Sequence, residues 1–292
     1  MKSGFVGVLG QTNVGKSTFI NTILGRKILI VSEKIQTTRN RIRCIYNDGE
    51  TQIIFVDTPG LHRPVNKLSK YLLHQAYGAL SGLDLILYMI EPWVEVQEYD
   101  EKIFARLRDL KLPAILLVNK IDRAKGDQVP KTLKNYGELG IFVELVPISC
   151  KEGINLGLAL RLVKENLPEG PPYFPQDELT DRSEEFLIAE FVREQIFILT
   201  FQEVPYSAAV EVVELRERDD LLEIYADIYV ARESQKGILI GKGGRMIREI
   251  GSRARQEIER LLGAHVYLNL RVKVRKDWVD HEQQIVRLVE GG

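Results

Sequence analysis

Short apolar runs punctuate the first half of the chain. Residues 4–9 (Gly-Phe-Val-Gly-Val-Leu), 51–56 (Thr-Gln-Ile-Ile-Phe-Val), 114–118 (Ala-Ile-Leu-Leu-Val) and 142–148 are each too short for a globular helix. Their near-continuous hydrophobicity is the pattern of strands buried on both faces of a parallel sheet. Helix-like stretches alternate with them to about residue 166, which predicts an α/β layer of sheet covered by helices. One pair differs: residues 41–46 and 51–56 flank Asn47-Asp48-Gly49. That turn sequence predicts an antiparallel hairpin, so the sheet is expected to be mixed.

The pattern breaks at residues 167–175, Leu-Pro-Glu-Gly-Pro-Pro-Tyr-Phe-Pro, where four prolines read as a semi-rigid linker. Beyond it, Phe186, Ala189, Val192, Ile196 and Leu199 recur at helical spacing. Residues 208–214 and 222–230 alternate as strands, Ile247, Ile250, Ala254, Ile258 and Leu261 mark another helix, and residues 266–274 alternate again. The expected organisation is an α/β domain at 1–166, a linker at 167–176 and an α+β domain at 177–292. Two domains suit a chain of 292 residues.

Charge sharpens this division. The net charge is only −1. Residues 231–276 nevertheless hold 12 Lys/Arg against 4 Asp/Glu, a local +8 that leaves −9 on the remainder. A basic block on an acidic chain points to a polyanionic partner for that block. Two cysteines, Cys44 and Cys150, make no disulfide framework, and a reducing cytoplasm is the expected compartment. The longest apolar stretch, near residues 83–90, is too short to span a bilayer, and the N-terminus has no signal-peptide pattern.

Three motifs then carry chemistry. Gly10-Gln11-Thr12-Asn13-Val14-Gly15-Lys16-Ser17 follows the first strand and opens a helix. Its glycines let successive N–H groups point into one anion-binding concavity, and the helix N-terminus adds more donors. A cation at a helix N-terminus is unfavourable by itself, so Lys16 makes sense when a β/γ-phosphate lies beside it. Ser17 is placed to meet Mg²⁺. Asp57-Thr58-Pro59-Gly60 ends the second buried run. Asp57 is a candidate Mg²⁺ holder and the Gly60 N–H a candidate γ-phosphate donor. Asn119-Lys120-Ile121-Asp122 ends the third. Asp122 can accept from guanine N1–H and the exocyclic amine, whereas adenine would leave the carboxylate unpaired. Asn119 would bond the neighbouring loop and the base, and the Lys120 stem would cover the base plane. Ser149-Cys150-Lys151 is a weaker fit to a second base-side loop. Together these segments resemble the P-loop GTPases.

In the second domain, Ile240-Gly241-Lys242-Gly243-Gly244-Arg245 lies between two helices. A Gly-x-x-Gly loop in this setting resembles the KH domain, in the type II element order, which clamps a single strand of about four nucleotides. Lys242, Arg245 and Arg248 would add charge. Bases are expected on an apolar groove near Ile238, Ile240 and Ile247. Arg271, Lys273 and Arg275 share a face of the last strand and extend the basic surface.

A GTPase domain followed by this KH domain resembles the Era family of bacterial ribosome-assembly GTPases over nearly the whole chain. Gln36-Thr37-Thr38-Arg39, Asp57-Thr-Pro-Gly-Leu61-His62, Glu203-Val-Pro205 and Gly237-Ile-Leu-Ile-Gly-Lys-Gly-Gly-Arg245 carry that resemblance. It implies Mg²⁺-dependent GTP hydrolysis and binding near the 3′ end of 16S rRNA. It also implies a role in small-subunit biogenesis, a monomer, and peripheral membrane contact. Thr12 stands where proline is usual and Cys150 where alanine is usual. Thr38 is the expected switch threonine for Mg²⁺ and the γ-phosphate, with Thr37 as the adjacent alternative. Lys16, Thr38 and Gly60 are thus the expected catalytic set. Leu61, in the nucleotide loop where some GTPases carry a water-orienting glutamine, has no donor or acceptor, so slow intrinsic hydrolysis is expected. Asn13 is a candidate K⁺ ligand or merely shapes its loop. The contrasting reading is a regulatory GTP-binding module whose KH domain holds a protein or a different RNA. His62, His74, His265 and His281 have no metal-ligand spacing.

Overall fold

The computed structural model describes residues 1–34, 37–60, 67–78, 80–93, 95–96, 98–218 and 220–290. Gln36, Leu61 and His62 lie outside the described residues. The chain packs as two compact units. The first comprises Met1–Lys27, Thr38–Pro64 and Leu72–Asp181; the second comprises Ile28–Thr37, Val65–Tyr71 and Arg182–Gly292.

The first unit is built on six strands: β1 (Lys2–Gly10), β2 (Ile42–Asn47), β3 (Thr51–Asp57), β4 (Leu85–Ile90), β5 (Ala114–Val118) and β6 (Glu144–Pro147). Their order is β2-β3-β1-β4-β5-β6. Only β2 runs antiparallel, pairing Ile42 with Asp57 through Asn47 with Gln52, which is the hairpin expected from Asn-Asp-Gly. The other pairings are parallel. Every residue of β3, β4 and β5 is buried, which is why these strands read as unbroken apolar runs. The helices alternating with these strands are α1 (Lys16–Leu24), α2 (Lys67–Gly78, counted with this unit from Leu72), α3 (Glu98–Leu110), α4 (Gln128–Gly137) and α5 (Leu156–Asn166). On one side of the sheet Tyr88, Phe104 and Phe142 pack edge to face, with ring centroids 5.0 and 5.6 Å apart.

The proline-rich segment expected as a linker is fastened to this unit. Buried Gln52 accepts from the N–H groups of Tyr173 and Phe174 and donates to the Phe174 carbonyl at 2.8 Å. Thr180 donates to the Arg43 carbonyl at 2.7 Å. Proline sets the backbone extended but leaves its carbonyls and neighbours free to pair, and a buried glutamine uses both ends of its amide there.

The second unit has strands β7 (Ala209–Arg218), β8 (Leu221–Val230) and β9 (His265–Val274) in that order. β7 and β8 are antiparallel with a bulge between Val212 and Glu214; β8 and β9 are parallel. Helices α6 (Glu184–Leu199), α7 (Glu233–Ile240) and α8 (Arg245–Leu262) complete the expected order of helix, two strands, helical pair and strand. Ser183 caps α6 by accepting from the Phe186 N–H, and Glu184 and Glu185 suit the positive end of its dipole. Nearly all of α6 is buried, polar residues included. Arg193 pairs there with Glu190 and donates to the Thr37 carbonyl, and Glu194 accepts from the Val31 N–H at 2.8 Å. Ile30 joins the core of this unit with Phe191, Val210, Ile228, Leu239 and Ile250. A further helix, α9 (Glu282–Glu290), was not anticipated from the sequence. Its Ile285, Leu288 and Val289 are buried, and Trp278 just before it is 0% exposed.

Candidate functional site

Parallel strands bring their C-terminal ends to one edge of the sheet, so the loops after β1, β3 and β5 meet. Gly10 and Gly15 hold φ of 144° and 105°, values an L side chain rarely adopts. At Gly10 a Cβ would lie 2.1 Å from the Met89 carbonyl oxygen, and at Gly15 it would lie 2.4 Å from the Asn119 amide. Both positions therefore require glycine on two counts. Asn13 is also left-handed, at φ 63°.

Lys16 is 6% exposed, and its Nζ donates to the Gly10 and Gln11 carbonyls at 3.2 and 2.9 Å. The ammonium thus closes the phosphate loop on itself. Beside it, Ser17 Oγ donates to Asp57 Oδ2 at 2.8 Å and lies 3.2 Å from Thr38 Oγ1; Thr38 Oγ1 reaches the same carboxylate oxygen at 3.4 Å. Asp57 is 0% exposed, and its Oδ1 has no hydrogen-bond partner among the described residues. A buried carboxylate with an unused oxygen, flanked by two hydroxyls, fits a hard, oxygen-seeking Mg²⁺. Thr37 is turned elsewhere: its Oγ1 donates to the Lys34 carbonyl at 2.7 Å and meets Ser32 Oγ at 2.6 Å. The geometry therefore separates the two adjacent threonines, with Thr38 at the carboxylate and Thr37 away from it.

Burial disfavours both charges at this point. It lowers Lys16 from 10.5 to about 8, against the attraction of Asp57. It raises Asp57 from 3.8 to about 6, against Lys16, Ser17 and Thr38. A carboxyl with a raised folded pKa costs stability as pH climbs from 3.8 to about 6, because over that window the unfolded chain ionises while the buried carboxyl keeps its proton. A cation beside Asp57 removes that cost. Mg²⁺-dependent nucleotide binding is accordingly expected to weaken about tenfold per pH unit below about pH 6, since the ligand must lose its proton. Calorimetric titration of Mg²⁺·GDP at acid and neutral pH checks this against Asp57→Asn. A pH profile identical in the two proteins would contradict it.

Gly60 is closely fitted to the phosphate loop: a Cβ there would lie 2.8 Å from Thr12 Cα and 3.0 Å from its nitrogen. Thr58 donates to the Val8 carbonyl at 2.9 Å and anchors the start of this loop, which continues through Pro59.

Asn119 does more than the sequence suggested. Its Nδ2 donates to the Val14 carbonyl at 2.8 Å, and its Oδ1 accepts from the Cys150 N–H at 3.1 Å. One buried amide thus joins the phosphate loop, the β5 loop and the loop after β6. Lys120, at φ 64°, donates to the main-chain carbonyl of Asn13 at 2.7 Å and pairs with Glu91. Ile121–Arg123 forms a short 3-10 turn that presents Asp122 to solvent. Ser149 Oγ donates to Asp122 Oδ1 at 2.6 Å, the main cause holding that carboxyl below its usual range. Ser149 in turn accepts from the Glu152 N–H, and Lys151 is exposed beside it. The residues of the Ser149-Cys150-Lys151 loop are thereby brought to the base-side motif.

In the second unit the Gly-x-x-Gly loop is held by left-handed glycines: Gly241, Gly243 and Gly244 have φ of 69°, 61° and 75°. A Cβ on Gly241 would meet Met246 at 2.9 Å, whereas the space around Gly243 is open. Lys242, Arg245 and Arg248 are exposed, and Arg248 donates to the Gly243 carbonyl at 2.7 Å. The loop caps the N-terminus of α8, whose free N–H groups favour an anion. A groove of about 290 Å³ lies between α8 and β9. Ile247, Arg248, Gly251, Ser252 and Arg255 form one wall; Leu268, Asn269 and Leu270 form the other. Ile238 is 46% exposed and, with Ile240, lies outside this lining. Of this lining the sequence predicted only Ile247 and Arg248, and on β9 it pointed to Arg271 and Lys273, which lie beyond the lining. The β9 wall escaped the sequence reading because strand and helix are brought together by tertiary packing.

Comparison with known proteins agrees with both halves. The family model for a 50S ribosome-binding GTPase matches residues 5–120, and that for a KH domain matches residues 203–279. The structure is similar to a tyrosine-to-alanine variant of Aquifex aeolicus Era bound to GDP·AlF4⁻, with a TM-score of 0.93 and 41% identity over 99% of each chain. It is also similar to Era in complex with MgGDPNP and nucleotides 1506–1542 of 16S ribosomal RNA. There the TM-score is 0.92 and the identity 40%, covering 99% of this chain and 98% of that one. With this likeness running through both units, the chain belongs to the Era family of GTPases.

Proposed function

We propose that this chain binds a single strand near the 3′ end of 16S rRNA through its second unit, under the control of GTP bound and hydrolysed by its first. The observation that carries the GTP half is the meeting of Ser17, Thr38 and Asp57 beside the closed loop of Lys16. In the RNA half it is the groove between α8 and β9, tied to the Gly-x-x-Gly loop by Arg248.

Ser17, Asp57 and Thr38 would hold Mg²⁺, which neutralises charge on the β- and γ-phosphates. Lys16 would leave the Gly10 and Gln11 carbonyls for phosphate oxygens, and the N–H groups of residues 13–17 would line the same concavity. Gly60 supplies a main-chain donor for the terminal phosphate, and its fit against Thr12 keeps that donor close. Asp122 reads guanine, with Ser149 holding its carboxylate in place. Thr38 and Gly60 follow the terminal phosphate, so its loss would release both segments. Leu61 brings no polar group to the attacking water, in keeping with a slow intrinsic rate.

Asn13 remains our candidate K⁺ ligand, and its main-chain carbonyl already attracts a cation in Lys120. Faster turnover in KCl than in NaCl at equal ionic strength is expected, and equal rates would remove the assignment. The Era resemblance also supports service to the small ribosomal subunit, a cytoplasmic location and peripheral contact with the membrane. Among the described residues no helix is long and apolar enough to cross a membrane.

Crosslinking and sequencing of bound RNA, with a GTP analogue and with GDP, tests the reading beside Gly243→Asp. No neighbour blocks a side chain at Gly243, and aspartate is among the few residues that enter its left-handed region (φ 61°) at modest strain, while the new carboxylate repels phosphate. Loss of one charged hydrogen bond, about 1.5–3 kcal/mol, corresponds to about 10- to 150-fold weaker RNA binding. A 16S rRNA 3′-end peak enhanced by the GTP analogue and lost in Gly243→Asp is the expected result. The absence of any specific peak would favour a protein ligand instead.

A further inference from the structure

β9 is an edge strand, and its two faces differ in character. One faces the core; the other carries His265, Tyr267, Asn269, Arg271 and Lys273. Register places Leu221, Glu223, Tyr225 and Asp227 of β8 beside the first four of them. Tyr225 and Tyr267 pack edge to face with centroids 6.2 Å apart, and Tyr267 remains 47% exposed. Two large aromatic rings held upright on an open sheet face have the form of a stacking platform.

Charge agrees with a polyanion there. Arg271 is exposed, and Arg275 lies over the Tyr229 ring, 4.8 Å from its centroid. The acidic residues on this face are already engaged: Glu214 by Arg216, Glu223 by Arg218, Asp227 by Lys273 and Glu211 by the Tyr229 hydroxyl. The platform is also continuous with the groove. Asn269 lines the groove, and its Nδ2 reaches Tyr267 Oη at 3.4 Å. Only the width of one edge strand separates the two.

We propose that the Tyr225–Tyr267 face is a second nucleic-acid subsite, on which a base stacks as the strand leaves the groove and rounds the β9 edge. The inference rests on the groove binding RNA and extends that reading outward. Arg271 would neutralise a phosphate of the emerging segment, and Asn269 would mark the passage from groove to platform. A ring face accepts any base, so the platform adds affinity for length rather than for sequence.

The test uses nested 3′-terminal 16S rRNA oligonucleotides of about four and about eight nucleotides, binding to the full chain. The longer strand is expected to bind about tenfold or more tighter, the worth of one base on an aromatic ring. Tyr267→Ala should erase that gain and leave the short strand's affinity unchanged. Tyr267→Phe should retain it, because stacking needs the ring and not the hydroxyl. With 2-aminopurine outside the groove segment, fluorescence should be quenched in the native protein and in Tyr267→Phe but not in Tyr267→Ala. A length gain that survives Tyr267→Ala overturns the platform, as does short-strand binding with no gain at all. Failure of both strands at low salt would instead overturn the groove reading beneath it.

Discussion

The Asp122→Asn protein is expected to lose GTP by about 10³-fold or more and to accept xanthosine triphosphate in its place. Asp122 offers only acceptors, matched to the N1–H and exocyclic amine of guanine. An asparagine keeps one acceptor and sets a donor against the guanine amine, leaving two donors opposed. Xanthine has a carbonyl there, which that donor can meet. Ser149 Oγ, which donates to Asp122 Oδ1, can donate equally to the asparagine oxygen, so the side chain stays aimed. Competition for a fluorescent guanine nucleotide, followed by turnover with each triphosphate, measures the exchange. Undiminished GTP affinity in Asp122→Asn would mean that the base is read elsewhere.

Trp278→Ala is expected to lower the stability of the second unit by about 3–5 kcal/mol, the cost of truncating a fully buried large aromatic. Trp278 is 0% exposed, and its Nε1 donates to the Ser207 carbonyl at 2.8 Å. Truncation leaves both a cavity and an unpaired carbonyl. It also removes the anchor that precedes α9, whose buried Ile285 and Leu288 give that short helix its reason to fold. Trp278→Phe should cost less, since most of the volume stays and one hydrogen bond goes. Urea unfolding followed by circular dichroism checks both, with guanine-nucleotide binding as a control on the first unit. A loss below about 1 kcal/mol would show that the site can close around the missing ring.

The parts that were legible in the sequence are those in which one segment does one job. Buried parallel strands announce themselves because both faces are apolar, and the three nucleotide motifs lie at the strand ends where a sheet delivers them. The Gly-x-x-Gly loop was legible because glycine takes its left-handed turns without strain. What escaped depends on partners far away in the chain. Nothing local to Asn119 says that its amide will tie Val14 to Cys150. Gly251, Ser252 and Asn269 look like ordinary small or polar residues until α8 and β9 face each other. The prolines of the expected linker gave no sign that Gln52 would fasten them. The last helix is short, and Ile285 and Leu288 form too brief a pattern to stand out.

The membership of Ile28–Thr37 in the second unit bears on inheritance. A polypeptide started at Arg182 would lack Ile30 from its core, the Val31 N–H for Glu194 and the Thr37 carbonyl for Arg193. It would carry a vacant apolar pocket and a buried guanidinium short of an acceptor. Grafting the RNA-binding half onto another GTPase would therefore require three pieces of sequence, one of them ending at the residue before Thr38. Genetic exchange by a single crossover between the halves would produce chains that fold poorly. The two activities are thus expected to be inherited together, for a reason of packing before any reason of physiology.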